Sequence, residues 1–144
     1  MVEPFHIALS QFAIREYADS NINAPENENI LRYFQEIGFE WVQDDEMAWC
    51  SAFVNWCAMK SNKPMSNKLN ARSWLTVGKP VSKSKVKLGD VVVLWRGSKT
   101  SWKGHVGFYI RESANYVWIL GGNQGDEVNI KRYPKYRVLK YRRL

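Results

Sequence analysis

The chain changes its hydrophobic period once. Up to about residue 65 apolar residues recur at helical spacing, and from about residue 88 they fall into short runs rich in valine, isoleucine and aromatics. "GDVVVLW", "HVGFYI", "YVWILGG", "EVNIKRY" and "RVLKYRRL" read as strands, separated by polar or glycine-containing loops. Helices first and antiparallel strands afterwards predict an α+β fold in which N-terminal helices pack on a C-terminal antiparallel sheet. Between the two parts, residues 66–88 are polar and irregular apart from "NARSWL", a short helical turn. Nothing resembles a long flexible linker, so residues 1–144 are expected to form a single domain.

Three helices are predicted. Residues 4–18 carry a stripe including Phe5, Ile7, Ala8, Phe12 and Ile14, before the turn-rich "DSNINAPENEN". "ENILRYFQEIGF" places Ile30, Leu31, Phe34 and Ile37 inward, with Gly38 suited to a left-handed C-cap. In "AWCSAFVNWCAMKSN", Cys50, Phe53, Val54, Cys57 and Ala58 follow i, i+3, i+4, i+7, i+8 spacing. Asp44, Asp45 and Glu46 suit the start of that third helix.

At 144 residues and 45% hydrophobic content the chain can build a core without metal or disulfide. Its two cysteines are seven positions apart on one helix, about 10 Å, beyond disulfide reach. "MVEPFHIALSQFAIREYADS" lacks a basic n-region and a cleavage site, so no secretory signal is expected. No apolar run approaches the roughly 20 residues of a membrane span, which predicts a soluble protein made in the cytoplasm. The net charge of +7 is concentrated in "KRYPKYRVLKYRRL", a pattern compatible with polyanion binding or with a terminal edge strand kept soluble by its cations.

A cysteine nucleophile needs a base, and His6 and His105 are the two histidines. His6 has no motif around it; His105 opens a strand, with Gly107 two residues on leaving room beside the ring. A hairpin centred near Ala114 pairs Tyr109 with Ile119 and Phe108 with Leu120, and its extension sets Asn123 opposite His105. An Asn123 amide oxygen there would orient the imidazole, as in a Cys/His/Asn triad, although "GGNQG" also reads as a plain turn. Cys50 lies in the first turn of its helix, where free N–H groups and a neighbouring imidazolium favour a thiolate; Cys57, two turns on, reads as packing. Metal-ligand spacing and phosphate-cradling loops are absent from the sequence, so no metal or cofactor is expected.

The order Cys, His, Asn on helix, strand and strand resembles the papain-like peptidoglycan hydrolases of the NlpC and CHAP groups. "AWCSAFVNWC", "ARSWL", "GDVVVLWRG", "GHVGFYI", "LGGNQGDEVNI" and "RVLKYRRL" look like successive blocks of a single-domain bacterial and phage subfamily. The resemblance implies a papain-like fold, Cys50 as nucleophile, His105 as general base and acid, and Asn123 as the group that orients it. It further implies an oxyanion donor at the Cys50 N–H, with Gln43 as a second candidate, and Trp49, Arg72, Trp74 and Gln124 along a substrate groove. Where CHAP members often carry an acidic residue two positions before the asparagine, this chain has Gly121. The implied substrate is peptidoglycan, cut either within the stem peptide or between glycan and first alanine, by a phage lysin or a delivered antibacterial effector acting outside the cytoplasm. A monomer is expected, with an immunity protein as partner if the chain is a toxin; nucleic acid and membrane insertion are not expected. A non-catalytic wall- or polyanion-binding module on the same fold is the alternative.

Overall fold

A computed structural model describes residues 2–14, 28–39 and 49–144. Within them helices α1 (Pro4–Ser10), α2 (Glu28–Gln35) and α3 (Cys50–Lys60) precede strands β1 (Lys79–Val81), β2 (Val91–Trp95), β3 (Gly104–Glu112), β4 (Tyr116–Gly121), β5 (Asn129–Pro134) and β6 (Val138–Arg143). The strands form one antiparallel sheet in the order β1-β6-β2-β3-β4-β5. The α+β class read from the periodicity is therefore the observed one. "ARSWL" lies in a 3-10 helix, Ala71–Thr76.

α1 is shorter than its apolar stripe. Glu3 caps it and Pro4 opens it, but Ala13 adopts φ +74, and a residue with a Cβ in that region does not continue a helix. The expected extension over 15–18, the turn-rich stretch after it, Asp44–Glu46 and Gln43 all lie outside the described residues. α2 buries Ile30, Tyr33 and Phe34 completely, whereas Leu31 is only half-buried. Tyr33 compensates for its hydroxyl by donating to Gln11 Oε1 at 2.8 Å, while its ring meets Phe53 and Trp56 of α3 at 5.0 and 4.9 Å. Gly38 ends the segment at φ +99, as its C-cap position requires.

α3 is the central helix. Every residue from Cys50 to Ala58 is buried, so it is enclosed on all sides rather than along one stripe. On one sheet face Val91, Val93, Val106, Phe108 and Leu120 share the core of the helices. On the other, Val92, Leu94, Tyr109, Val117, Ile119 and Tyr141 form a second cluster. Burial on both faces explains why "VVVL" is a continuous apolar run instead of an alternating one.

The basic C-terminus is not an edge strand. β6 lies between β1 and β2, because the short strand Lys79–Val81, whose "KPV" has no alternating pattern to betray it, pairs outside it. Two of its cations are structural. Arg142 is 9% exposed and donates to the carbonyls of Val77 and Gly78 at 2.7 Å each, and Arg143 grips the buried Asp90 at 2.8 Å through two nitrogens.

Candidate active site

A small cleft of about 80 Å³ is lined by Cys50, Leu69, Asn70, Ala71, Arg96, Trp102, Gly104, His105 and Asn123. Two loops wall it, and each is fastened by polar side chains that the core surrounds. On one side the buried Asn55 donates to Ser66 Oγ and the Lys68 carbonyl, both at 3.1 Å, and accepts from the N–H groups of Ser66 and Asn67 at 2.9 and 3.1 Å. One turn earlier, Ser51 Oγ donates to the same Lys68 carbonyl at 2.7 Å and accepts from Trp74 Nε1 at 3.1 Å. A buried amide and hydroxyl so satisfied fix the loop carrying Leu69 and Asn70.

On the opposite side Arg72 spreads its guanidinium over three carbonyls of the β2–β3 loop: Ser98, Lys99 and Lys103, each at 2.9 Å. Gly104 is dictated by that strut, since a Cβ there would lie 2.8 Å from the Leu94 carbonyl oxygen and 3.2 Å from Arg72 Cγ. Arg72, expected along the substrate groove, is instead the brace of one wall.

Cys50 is the first residue of α3, its side chain 8% exposed, and Trp49 ahead of it supplies no side-chain cap. Its sulfur meets the backbone of Val106, next to His105 on β3, and the N–H groups of Cys50 and Ser51. These hydrogen bonds, together with the charge of Arg96, favour a thiolate, but burial outweighs them and holds the thiol above its ordinary range. The helix terminus pulls the thiol toward the thiolate as its position leads one to expect, but by less than desolvation pushes it the other way. Cys57 is fully buried and pushed up much further, with only its own backbone N–H to offset burial.

His105 receives its partner from Gln124. The amide nitrogen of Gln124 faces three acceptors, the carbonyls of Ile119 (3.1 Å) and Asn129 (2.8 Å) and Asn129 Oδ1 (2.9 Å). Its Oε1 is thereby turned to His105 Nε2 at 2.9 Å. An amide oxygen only accepts, so Nε2 carries the proton and Nδ1 keeps the lone pair. Tyr133, on β5, stacks its ring 5.0 Å from the imidazole at 30° and brings its hydroxyl to 3.2 Å from Nε2. Burial, helped by the charges of Arg96 and Lys131 and opposed by the Gln124 hydrogen bond, lowers the His105 pKa from 6.5 to about 4.

The expected role of Asn123 thus falls to its neighbour. The hairpin pairs Phe108 with Leu120 and Tyr109 with Ile119 as predicted, with a bulge at Ile110. However, β4 ends at Gly121 and Asn123 turns to φ +59, so the ladder never reaches His105. Asn123 lines the cleft as a turn residue, and the turn swings Gln124 under the imidazole. Gly121 belongs to the same arrangement: a Cβ there would stand 2.8 Å from Gln124 Oε1, so the missing acidic residue leaves the space that Gln124 uses. At Gly122 a Cβ would strike the Trp49 ring at 2.5 Å. Trp49 and Trp74 are fully buried and serve packing, away from any groove. The room expected beside His105 at Gly107 is filled by Ile119, whose Cγ2 lies 2.3 Å from where a Cβ would sit. His6 is exposed, accepting from the Glu3 N–H at 3.3 Å as part of the α1 cap.

Tyr133 and Arg96 were not singled out from sequence. Neither sits in a motif, and both reach the site through the sheet, Tyr133 from β5 and Arg96 from the end of β2. No group of three or more histidine, cysteine, aspartate or glutamate side chains suited to a metal occurs among the described residues.

Cys50 and His105 line one cleft, with the Gln124 carboxamide behind the imidazole, the set of groups from which thiol chemistry with a histidine base is built. Residues 42–123, more than half of the chain, match the family model described as the CHAP domain. The chain belongs to the CHAP-domain family. Members of that family are typically cysteine peptidases or amidases. A solved structure described as similar to a lipoprotein of the NLP/P60 family, from Staphylococcus aureus subsp. aureus Mu50, aligns at a TM-score of 0.47 and 12% identity over 88% of this chain. This chain spans 45% of that one. No curated protein matches the sequence.

Proposed function

We propose that this CHAP domain hydrolyses an amide bond of peptidoglycan with Cys50 as nucleophile, His105 as general base and acid, and Gln124 as the residue that orients His105. The observation carrying the reading is the Gln124 amide, whose nitrogen is fixed by Ile119 and Asn129 so that its oxygen holds His105 Nε2–H. Burial holds the thiol up and the imidazole down, so proton transfer from Sγ to Nδ1 accompanies attack on the carbonyl instead of preceding it. The imidazolium formed donates Nδ1–H to the leaving amine, while Nε2–H stays on Gln124. Water, deprotonated by the same nitrogen, then releases the acyl group from Cys50. The N–H groups at the start of α3 are the donors available to the tetrahedral oxyanion.

The bond cut is either within the stem peptide or between the glycan and its first alanine. The enzyme acts on the wall after release or delivery from the cytoplasm, as a phage lysin or an antibacterial effector would. Both catalytic side chains are present together in one cleft, which favours the enzyme over a binding module. Digestion of purified peptidoglycan, followed by mass analysis of the soluble products, tests the reading. New alanine amino termini identify the amidase and cuts deeper in the stem the endopeptidase. Release of no fragments, or equal release by Cys50→Ala, would sink it.

A further inference from the structure

Among the described residues, Arg96 is the one permanently charged side chain lining the cleft. It is exposed at the end of the β2 ladder, and its guanidinium makes no hydrogen bond or ion pair with any described residue. Other arginines of the chain are differently placed: Arg72 and Arg142 are spent on carbonyls, Arg143 on Asp90, and Arg111 and Arg132 on the rings of Trp118 and Tyr116. Among the described residues no carboxylate lines the cleft beside Arg96. The wall that follows it is preset, since Arg72 holds residues 98, 99 and 103 of the loop. Trp102 on that loop is 74% exposed, a flat apolar surface at the same rim.

The charge of Arg96 acts on both partners of the proton transfer, favouring a thiolate at Cys50 and disfavouring an imidazolium at His105. A substrate anion seated on the guanidinium offsets both effects while it adds a charge-assisted, bidentate contact. Binding and proton transfer are then coupled through one residue.

We propose that Arg96 is the specificity-determining residue of the cleft, pairing with a free carboxylate of the stem peptide near the scissile amide, with Trp102 as the adjoining apolar wall. The proposal rests on the peptidoglycan reading above and extends it to a substrate class: stems whose carboxyl groups are free, against those in which they are amidated. The carboxylate is either an α-carboxyl within the stem or its C-terminus, and substrates blocked at each position separately distinguish the two.

The experiment uses matched muropeptides with free or amidated carboxyls, cleaved by the full chain and by Arg96→Gln and Arg96→Lys. The wild type is expected to favour one free-carboxylate substrate by about tenfold or more in kcat/KM, the scale of a charged hydrogen bond. Arg96→Gln brings that ratio near unity, mainly through KM, and Arg96→Lys retains part of it. Equal wild-type cleavage of free and amidated forms, or equal losses on both in Arg96→Gln, overturns the proposal. A second readout separates it from the hydrolase reading: calorimetric binding of the same muropeptides to Cys50→Ala and to Cys50→Ala/Arg96→Gln. A binding preference that Arg96→Gln abolishes, with no cleavage by the wild type, leaves the anchor standing and rejects the hydrolase; no preference in binding rejects the anchor.

Discussion

The two ends of α3 carry the same residue in opposite circumstances. Cys50 and Cys57 are both free, both buried and both on the helical face that meets the core. At Cys57 only its own backbone N–H offsets burial, and its thiol is held far above the ordinary range. At Cys50 burial raises the thiol too, yet the Val106 backbone, the free N–H groups of the helix and the Arg96 charge all pull the other way. Helix position alone does not separate the two residues; the strand and the loops brought against one end do. What sets Cys50 apart from an ordinary core cysteine is the polar neighbours that the sheet has delivered to it.

The sharpest way to break the comparison is to remove each sulfur. Cys50→Ala is expected to reduce peptidoglycan cleavage by at least about a thousandfold, the scale for loss of a catalytic nucleophile, with the fold intact by circular dichroism. Cys57→Ala is expected to cleave at close to the wild-type rate while unfolding more easily by about 1 to 2 kcal/mol in urea, because a small buried group has been deleted. Comparable activity loss in both would erase the distinction.

Next in size is the histidine's support. Gln124→Leu leaves Nε2–H without its acceptor and frees the tautomer, so kcat should fall by about a hundredfold and the pH profile should change shape, while Asn123→Ala costs less than tenfold. The reverse ranking would restore Asn123 to the role the sequence first suggested.

The smallest effect is on stability. The His105 pKa is lower in the fold, about 4, than its unfolded value of 6.5, so the unfolded chain binds more protons between those pH values. The stability associated with neutral His105 is complete above pH 6.5 and is lost as pH falls toward 4, at no more than about 1.4 kcal/mol per pH unit. Urea titrations over that window should show the slope, and His105→Gln should flatten it. An unchanged slope in the variant would assign the acid sensitivity to other groups.

Much of this was legible beforehand for identifiable reasons. The hairpin register between Phe108 and Leu120 could be read because aromatic and aliphatic residues alternate on both strands. β6 was misplaced at an edge because β1, only three residues long and without periodicity, is the strand that covers it. The orienting amide was assigned one residue too early because extrapolating a ladder assumes that the strand continues, and a left-handed Asn123 ends it. Tyr133 and Arg96 carry no local signature at all: each joins the site from a strand or loop distant in sequence from Cys50.

The sequence by itself determined the class of fold, the helix that begins at Cys50 and the pairing of a strand-borne histidine with the turn after β4, because periodicity, glycine placement and residue chemistry are local properties. Only the tertiary structure decided that Gln124 holds His105, that Arg72 braces a loop while Arg96 is left without a partner among the described residues, and that burial outweighs the helix terminus at the Cys50 thiol. Those outcomes depend on which backbone turns, which side chain fills the space above a glycine, and how much water is removed from a charge, and none of these is fixed until the chain has packed.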